Sequence, residues 1–284
     1  MPVCSRLAAM LLIAAATPAA AQDAQSLVAK NLEARGGAAA LAAIKSVSFE
    51  GRTIFPGDFE LTYKEVRATA GTAPLVRYDL GLQGLDLIQA YDGRGGWKVN
   101  PFNGRKDAER MSADEARQLA DAASIEGPLL ASRSDGSKVT YLGRDDFDGT
   151  LAYKLKVTQK DGDEFTYWLD PDTYLEIKGE EARRIRGALT ISDAEFGDYE
   201  KVAGVYFPMS VESWQQGSPN QRQRTILSGG TANGAVDASI FAAPGGAATT
   251  AKEGPEPPDA SNKPQGKPAK TPVKKPATSK PKGE

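Results

Sequence analysis

Two acidic clusters are the first residues that could do chemistry. Asp145, Asp146 and Asp148 precede Gly149, and Asp161, Asp163 and Glu164 surround Gly162. A glycosidase needs two carboxylates facing across a cleft. A calcium loop needs oxygens at alternate positions closed by a bidentate Glu. Neither spacing is matched. Both clusters sit beside glycine, where Asp is favoured because it hydrogen-bonds its own backbone, so both read as turn chemistry. Asp170-Pro171-Asp172 reads the same way. Ala90–Phe102 (AYDGRGGWKVNPF) is glycine-rich, but no helix N-terminus follows it to hold a phosphate. Arg183, Arg184 and Arg186 fall on a strand pattern and read as a solvated, edge-protecting face. The chain contains no histidine. That removes Ser-His-Asp and Cys-His catalysis and the commonest ligand of zinc, copper and iron. No catalytic residue, metal site or cofactor is therefore expected.

The ends narrow the folded part. Residues 1–21 (MPVCSRLAAMLLIAAATPAAA) carry Arg6, an apolar run from Leu7 to Ala16, and small residues ahead of Gln22. This is the pattern of a cleaved secretory signal, and the run is shorter than the roughly 18 residues a membrane span needs. The only cysteine, Cys4, leaves with it, so the mature chain has no disulfide and no thiolate ligand. Residues 244–284 are rich in Pro, Lys, Ala and Thr with almost no large apolar side chain, a composition that stays disordered. From Lys252 onward eight lysines face four acidic residues, which leaves residues 22–251 with a net charge of −7. An acidic domain carrying a basic tail does not read as a nucleic-acid binder.

Between the ends, strand patterns dominate. Asp23–Arg35 predicts a helix with Leu27, Val28 and Leu32 on one stripe, stopped by Gly36-Gly37; Ala38–Lys45 predicts a second, short one. Alternation then recurs around Val47–Gly51, Phe59–Tyr63, Val76–Leu80, Leu85–Tyr91 and Trp97–Val99. Ser112-Ala-Asp-Glu115 is a capping box opening a helix over about 113–123, with Gly127-Pro128 closing the segment. Further strands are expected at Val139–Gly143, Ala188–Tyr199, Val205–Trp214 and Gln221–Leu227.

The clearest stretch is 151–178. Leu151, Tyr153, Leu155 and Val157 alternate with Ala152, Lys154, Lys156 and Thr158; Asp161-Gly162 turns the chain; Phe165, Tyr167 and Leu169 resume; Asp170–Thr173 turns it again into Leu175 and Ile177. This predicts a three-stranded antiparallel meander with one dry face. About ten short strands in sequence order, with two helical regions, predict one long antiparallel sheet that twists and curls. Its inner face would be lined by Phe49, Phe59, Leu61, Tyr63, Val76, Tyr78, Leu80, Leu87, Trp97, Val99, Tyr153, Leu155, Val157, Phe165, Tyr167, Leu175 and Ile177. If the helices leave that face under-filled, it is a pocket for a hydrophobic ligand; a sandwich filled by its own side chains fits the same alternation. Trp97 reads first as core.

Several segments resemble a known family: EARGG-x3-L-x2-IKS at Glu33–Ser46, AYDGRGGW-x-VNPF, EGPL at Glu126–Leu129, YKLKVT with its DG turn, YWLDPDTYLEIK, and DY-x-x-V-x-GV-x-FP at Asp198–Pro208. Together, over roughly residues 26–228, they resemble periplasmic proteins with the fold of the outer-membrane lipoprotein carriers, the LolA/LolB-like family. The resemblance implies a mainly β fold, an unclosed antiparallel half-barrel lidded by an N-terminal helix and a mid-chain helix, over residues 22–243. It implies a monomeric, non-enzymatic periplasmic carrier whose apolar interior holds acyl chains of lipoproteins or other lipids, served by partner proteins at the inner and outer membranes. A protein-interaction module for stress sensing on the same fold is the alternative. No motif here fixes partner-docking residues, and the basic tail is an addition that the resemblance does not explain.

Overall fold

The computed structural model describes residues 18–244 and 249–250. The expected signal lies outside the described residues up to residue 17, and so does the expected tail apart from Pro244 and the pair 249–250. Two helices open the chain, α1 (Pro18–Ala34) and α2 (Gly37–Ala43). Six strands follow: β1 (Ser46–Phe55), β2 (Phe59–Ala70), β3 (Ala73–Leu82), β4 (Leu85–Tyr91), β5 (Gly96–Asn100) and β6 (Arg105–Arg110). Helices α3 (Ala113–Ala122) and α4 (Gly127–Asp135) separate these from β7 (Lys138–Phe147), β8 (Thr150–Thr158), β9 (Glu164–Leu169), β10 (Glu176–Ile185), β11 (Ala188–Val202), β12 (Val205–Gln215) and β13 (Gln223–Ala232). Thr249 and Thr250 form β14, a short parallel addition to β6. Among the described residues no helix is long and apolar enough to cross a membrane.

All strands belong to one sheet, ordered β14-β6-β5-β4-β3-β2-β1-β13-β12-β11-β10-β9-β8-β7. Apart from β14 every neighbour is antiparallel. The first meander therefore runs outward from the centre to β6. The second starts at the far edge with β7 and returns to the centre, where β13 pairs with β1 (Val47 opposite Ala232). The edges do not meet, and the segment from β6 to β7 must cross the whole sheet. That segment is α3 and α4, so the lid follows from connectivity.

Hydrogen bonds between near neighbours in sequence explain the turns. Asp146 Oδ1 accepts from the Gly149 amide, Asp161 from the Asp163 amide, and Asp170 from the amides of Asp172 and Thr173. The capping box at α3 is formed as expected: Ser112 accepts from the Glu115 amide, and Glu115 accepts from the Ser112 amide. One expectation is corrected, and one strand is added to those expected. Gly127-Pro128 opens a helix rather than closing a segment, because proline in the first helical turn gives up an amide that had no partner there. Arg105–Arg110, which shows no apolar alternation, is a strand held by its pairing with β5.

The main core lies between the inner face of the sheet and α1, α2 and α4. Leu27, Val28, Leu41, Leu129, Leu130, Leu155, Val157, Val205 and Phe207 are buried there. A second cluster joins α3 to the first meander through Val76, Met111, Leu119 and Ala123. The outer face of the first meander is covered by the chain after β13: Phe241 is buried against Ala68 and Leu75, and its carbonyl accepts from Trp97 Nε1 at 2.7 Å.

Candidate functional site: a trough beneath the crossing helices

Two chambers lie under the α3–α4 connection, of about 310 Å3 and about 270 Å3. They abut at Pro128, Tyr167 and Phe196, which line both. The first is roofed by Ile125, Pro128 and Leu129. Its walls are Phe49 (β1), Tyr63, Glu65 and Arg67 (β2), Tyr167 (β9), Phe196 and Tyr199 (β11), Phe207 and Val211 (β12) and Leu227 (β13), with Arg35 and Glu176 at one side. β2 and β9 lie six places apart in the sheet, about 29 Å if it were flat. Side chains from both can face one small chamber only because the sheet curls. Close approach deepens the trough at one point. A Cβ on Gly179 would stand 3.1 Å from the Phe196 ring, so glycine there lets the ring lie against the backbone.

Both chambers carry charge. In the second, Arg183 is 3% exposed and its Nη1 stands 2.7 Å from both Asp121 on α3 and Asp163; Glu181 accepts from its Nε. Burial works against this guanidinium's charge, and Glu181 and Asp121 more than offset it, so it stays protonated. Burial lifts the Asp163 carboxyl above its usual range, against the pull of Arg183. At the first chamber, Arg35 donates from Nε to the Tyr206 carbonyl at 2.8 Å and faces Glu176 at 3.5 Å, which the Tyr199 hydroxyl also meets. Tyr167 and Tyr199 are pushed up mainly by burial and next by Glu176, and remain neutral. Arg183 is thus corrected: it is a buried hub between α3 and the sheet, while Arg184 and Arg186 remain exposed.

The expected lining residues divide into four groups. Phe49, Tyr63, Phe165 and Tyr167 line the chambers. Leu155 and Val157 are buried in the main core with Tyr153 packed against it, and Val76 and Tyr78 belong to the α3 cluster. Leu61 is buried on the inner face; Leu80 pairs with Tyr63 and Leu87 with Leu80, both half-buried, and Phe59 at the start of β2 is exposed. The last group lies elsewhere. Tyr91 pairs with Gly96 across a four-residue turn, so the inward positions change from odd to even numbers, and Trp97 and Val99 fall on the outer face. A bulge between Glu176 and Lys178 sets Glu176 opposite Leu169, and neither Leu175 nor Ile177 lines a chamber. Pattern reading missed the roof, because α4 was not seen, and the charged wall, because alternation scores only apolar residues. Leu129-Leu130 beside Gly127-Pro128 was the available signal.

No family model matches the sequence, and no curated protein matches it. Solved structures do. A domain of a putative outer membrane lipoprotein-sorting protein from Vibrio parahaemolyticus aligns with a TM-score of 0.54 at 13% identity, covering 78% of this chain and 97% of that one. A DUF1329 family protein from Desulfovibrio piger gives 0.51 at 12%, covering 77% and 97%. A LolA superfamily protein from Nitrosomonas europaea gives 0.50 at 16%, also covering 77% and 97%. At such identities the likeness speaks for architecture alone: this chain has a LolA-like fold.

Proposed function

We propose that this protein is a non-enzymatic carrier that holds the acyl chains of a lipoprotein, or of another lipid, in the trough beneath α3 and α4. The observation that carries the reading is the trough itself: abutting chambers under a helical crossing, walled by Phe49, Phe196, Phe207, Val211 and Leu227 and roofed by Ile125 and Leu129. Water takes about 30 Å3 per molecule, so the first chamber has room for roughly ten waters or a stretch of hydrocarbon. Each methylene moved out of water is worth about 0.8 kcal/mol. Transfer is then partition: cargo enters when the crossing helices move from the sheet and is held when they return. In this reading the chain works as a monomer in the periplasm, loaded by an inner-membrane partner and relieved by an outer-membrane one.

Protein purified without detergent should carry one amphiphile by native mass spectrometry. A fluorescent fatty-acyl probe should bind the wild type and bind Val211→Asp or Phe196→Asp at least about ten-fold more weakly, the worth of two methylenes. A wild type that neither carries lipid nor takes up the probe would end the carrier reading.

A further inference from the structure

The first chamber has a polar wall that a carrier of plain hydrocarbon does not need. Tyr63, Glu65 and Arg67 follow one another on the inner face of β2, and Tyr78 of β3 stands opposite Glu65. Glu65 is 4% exposed and accepts from two donors, the Tyr63 hydroxyl at 2.7 Å and Arg67 Nε. The carboxylate is satisfied, but the guanidinium is not used up. Among the described residues no carboxylate or carbonyl accepts from Arg67 Nη1 or Nη2. The Arg67 side chain is 25% exposed and lines the chamber, with the Tyr78 hydroxyl beside it. Arg35 differs, since its Nε is committed to the Tyr206 carbonyl and its Nη1 faces Glu176. Burial works against the Arg67 charge and Glu65 more than offsets it, so the group stays protonated. A buried ion pair is weak evidence for stability, because desolvation offsets the attraction. That leaves a role toward a guest.

We infer that Arg67, steadied by the Tyr78 hydroxyl beside it, forms a seat for the anionic head of an acyl amphiphile, a carboxylate or a phosphate, whose tail runs along Phe49, Phe207 and Leu227. The inference rests on the carrier reading and adds the class of ligand. A guanidinium presents paired N–H groups that match a carboxylate or phosphate. Glu65 holds that fork in place, so little side-chain freedom is lost on binding.

Calorimetric titration of the full chain at about pH 8, where a carboxylate is ionised, separates the alternatives. Dodecanoate and dodecyl phosphate should bind at least about ten-fold tighter than dodecanol, the worth of one charge-assisted hydrogen bond. Inorganic phosphate, lacking a tail, should not displace them. Arg67→Lys keeps a cation against Glu65 but loses the fork; it and Tyr78→Phe should bring the anions to within about three-fold of dodecanol measured on the same variant. Equal wild-type affinity for dodecanoate and dodecanol removes the seat and leaves the carrier reading standing. An anion preference that survives both variants places the seat elsewhere and overturns the inference. Tight capture of inorganic phosphate alone also overturns it, and binding of none of the compounds removes both proposals.

Discussion

Helix α3 meets the two halves of the sheet in different ways. Against the first meander it is apolar: Leu119 of the helix and the flanking Met111 and Ala123 bury on Val76, and Gly96 gives the helix a flat seat, since a Cβ there would stand 3.3 Å from Ala116. Lys98–Glu115 is the ion pair on that side. Against the second meander it is ionic. Arg183 meets Asp121, Arg117 meets Asp163, Asp114 accepts from the Arg186 amide, and Gln159 donates to Asp121. Apolar contact is non-directional and tolerates small shifts, whereas a hydrogen-bonded charge cluster holds only while its geometry is kept. Helix α3 is therefore seated on one half and latched to the other, while α4 packs on the second half through Leu129 and Leu130.

Breaking the latch should cost most. Arg183→Ala leaves Asp121 and Glu181 without their cation and Asp163 with Arg117 alone, a loss of about 3–5 kcal/mol read from the urea midpoint. Replacing Arg183 by Met and Asp163 by Leu together should recover part of it, since the most deeply buried carboxylate leaves with its cation. A single-variant loss below about 1 kcal/mol would remove the hub from this account. On the apolar side, Leu119→Ala should cost about 2–3 kcal/mol. That loss should be the same in dilute buffer and at about 1 M salt, while contacts made by the half-exposed Arg117 weaken as salt screens them. Ser112→Ala, which removes the cap without touching either half, should cost about 1 kcal/mol. The smallest effect is a pH dependence. Burial pushes the Glu115 carboxyl up, but hydrogen bonds from Lys98 and at Ser112 outweigh it, so its pKa is lowered. A lowered carboxyl contributes stability that is present above the ordinary value near 4.5 and lost as pH falls through the folded one. Glu115→Gln should flatten the fall of Tm with acid in that range, and an unchanged slope would say that Lys98 does not hold the cap.

How much of this was legible depends on whether a residue's fate is decided locally. The capping box at Ser112, the strand Leu85–Tyr91 and the alternation through Tyr153–Val157 answer to neighbours within a few residues, and each was readable. Trp97 was not, because its face depends on how Tyr91 pairs with Gly96 across a turn. Arg183 was not, because nothing near it in sequence reveals that Asp121 arrives from a helix on the other side of the trough. β6 was unreadable for a related reason: RKDAER has no dry face, and only a paired neighbour makes it a strand. The order of strands was the largest gap, since sequential hairpins describe each meander but not the junction of β1 with β13.

That junction constrains how the molecule can be made. Val47 finds its partner in Ala232, and Ile54 in Arg224, so the middle of the sheet waits for the last long strand. A nascent chain emerging from the ribosome has its outer strands long before it has a centre. Such distant pairing is slow, because a long loop must close before any contact rewards it. The two meanders therefore cannot join into one sheet until β13 has been made.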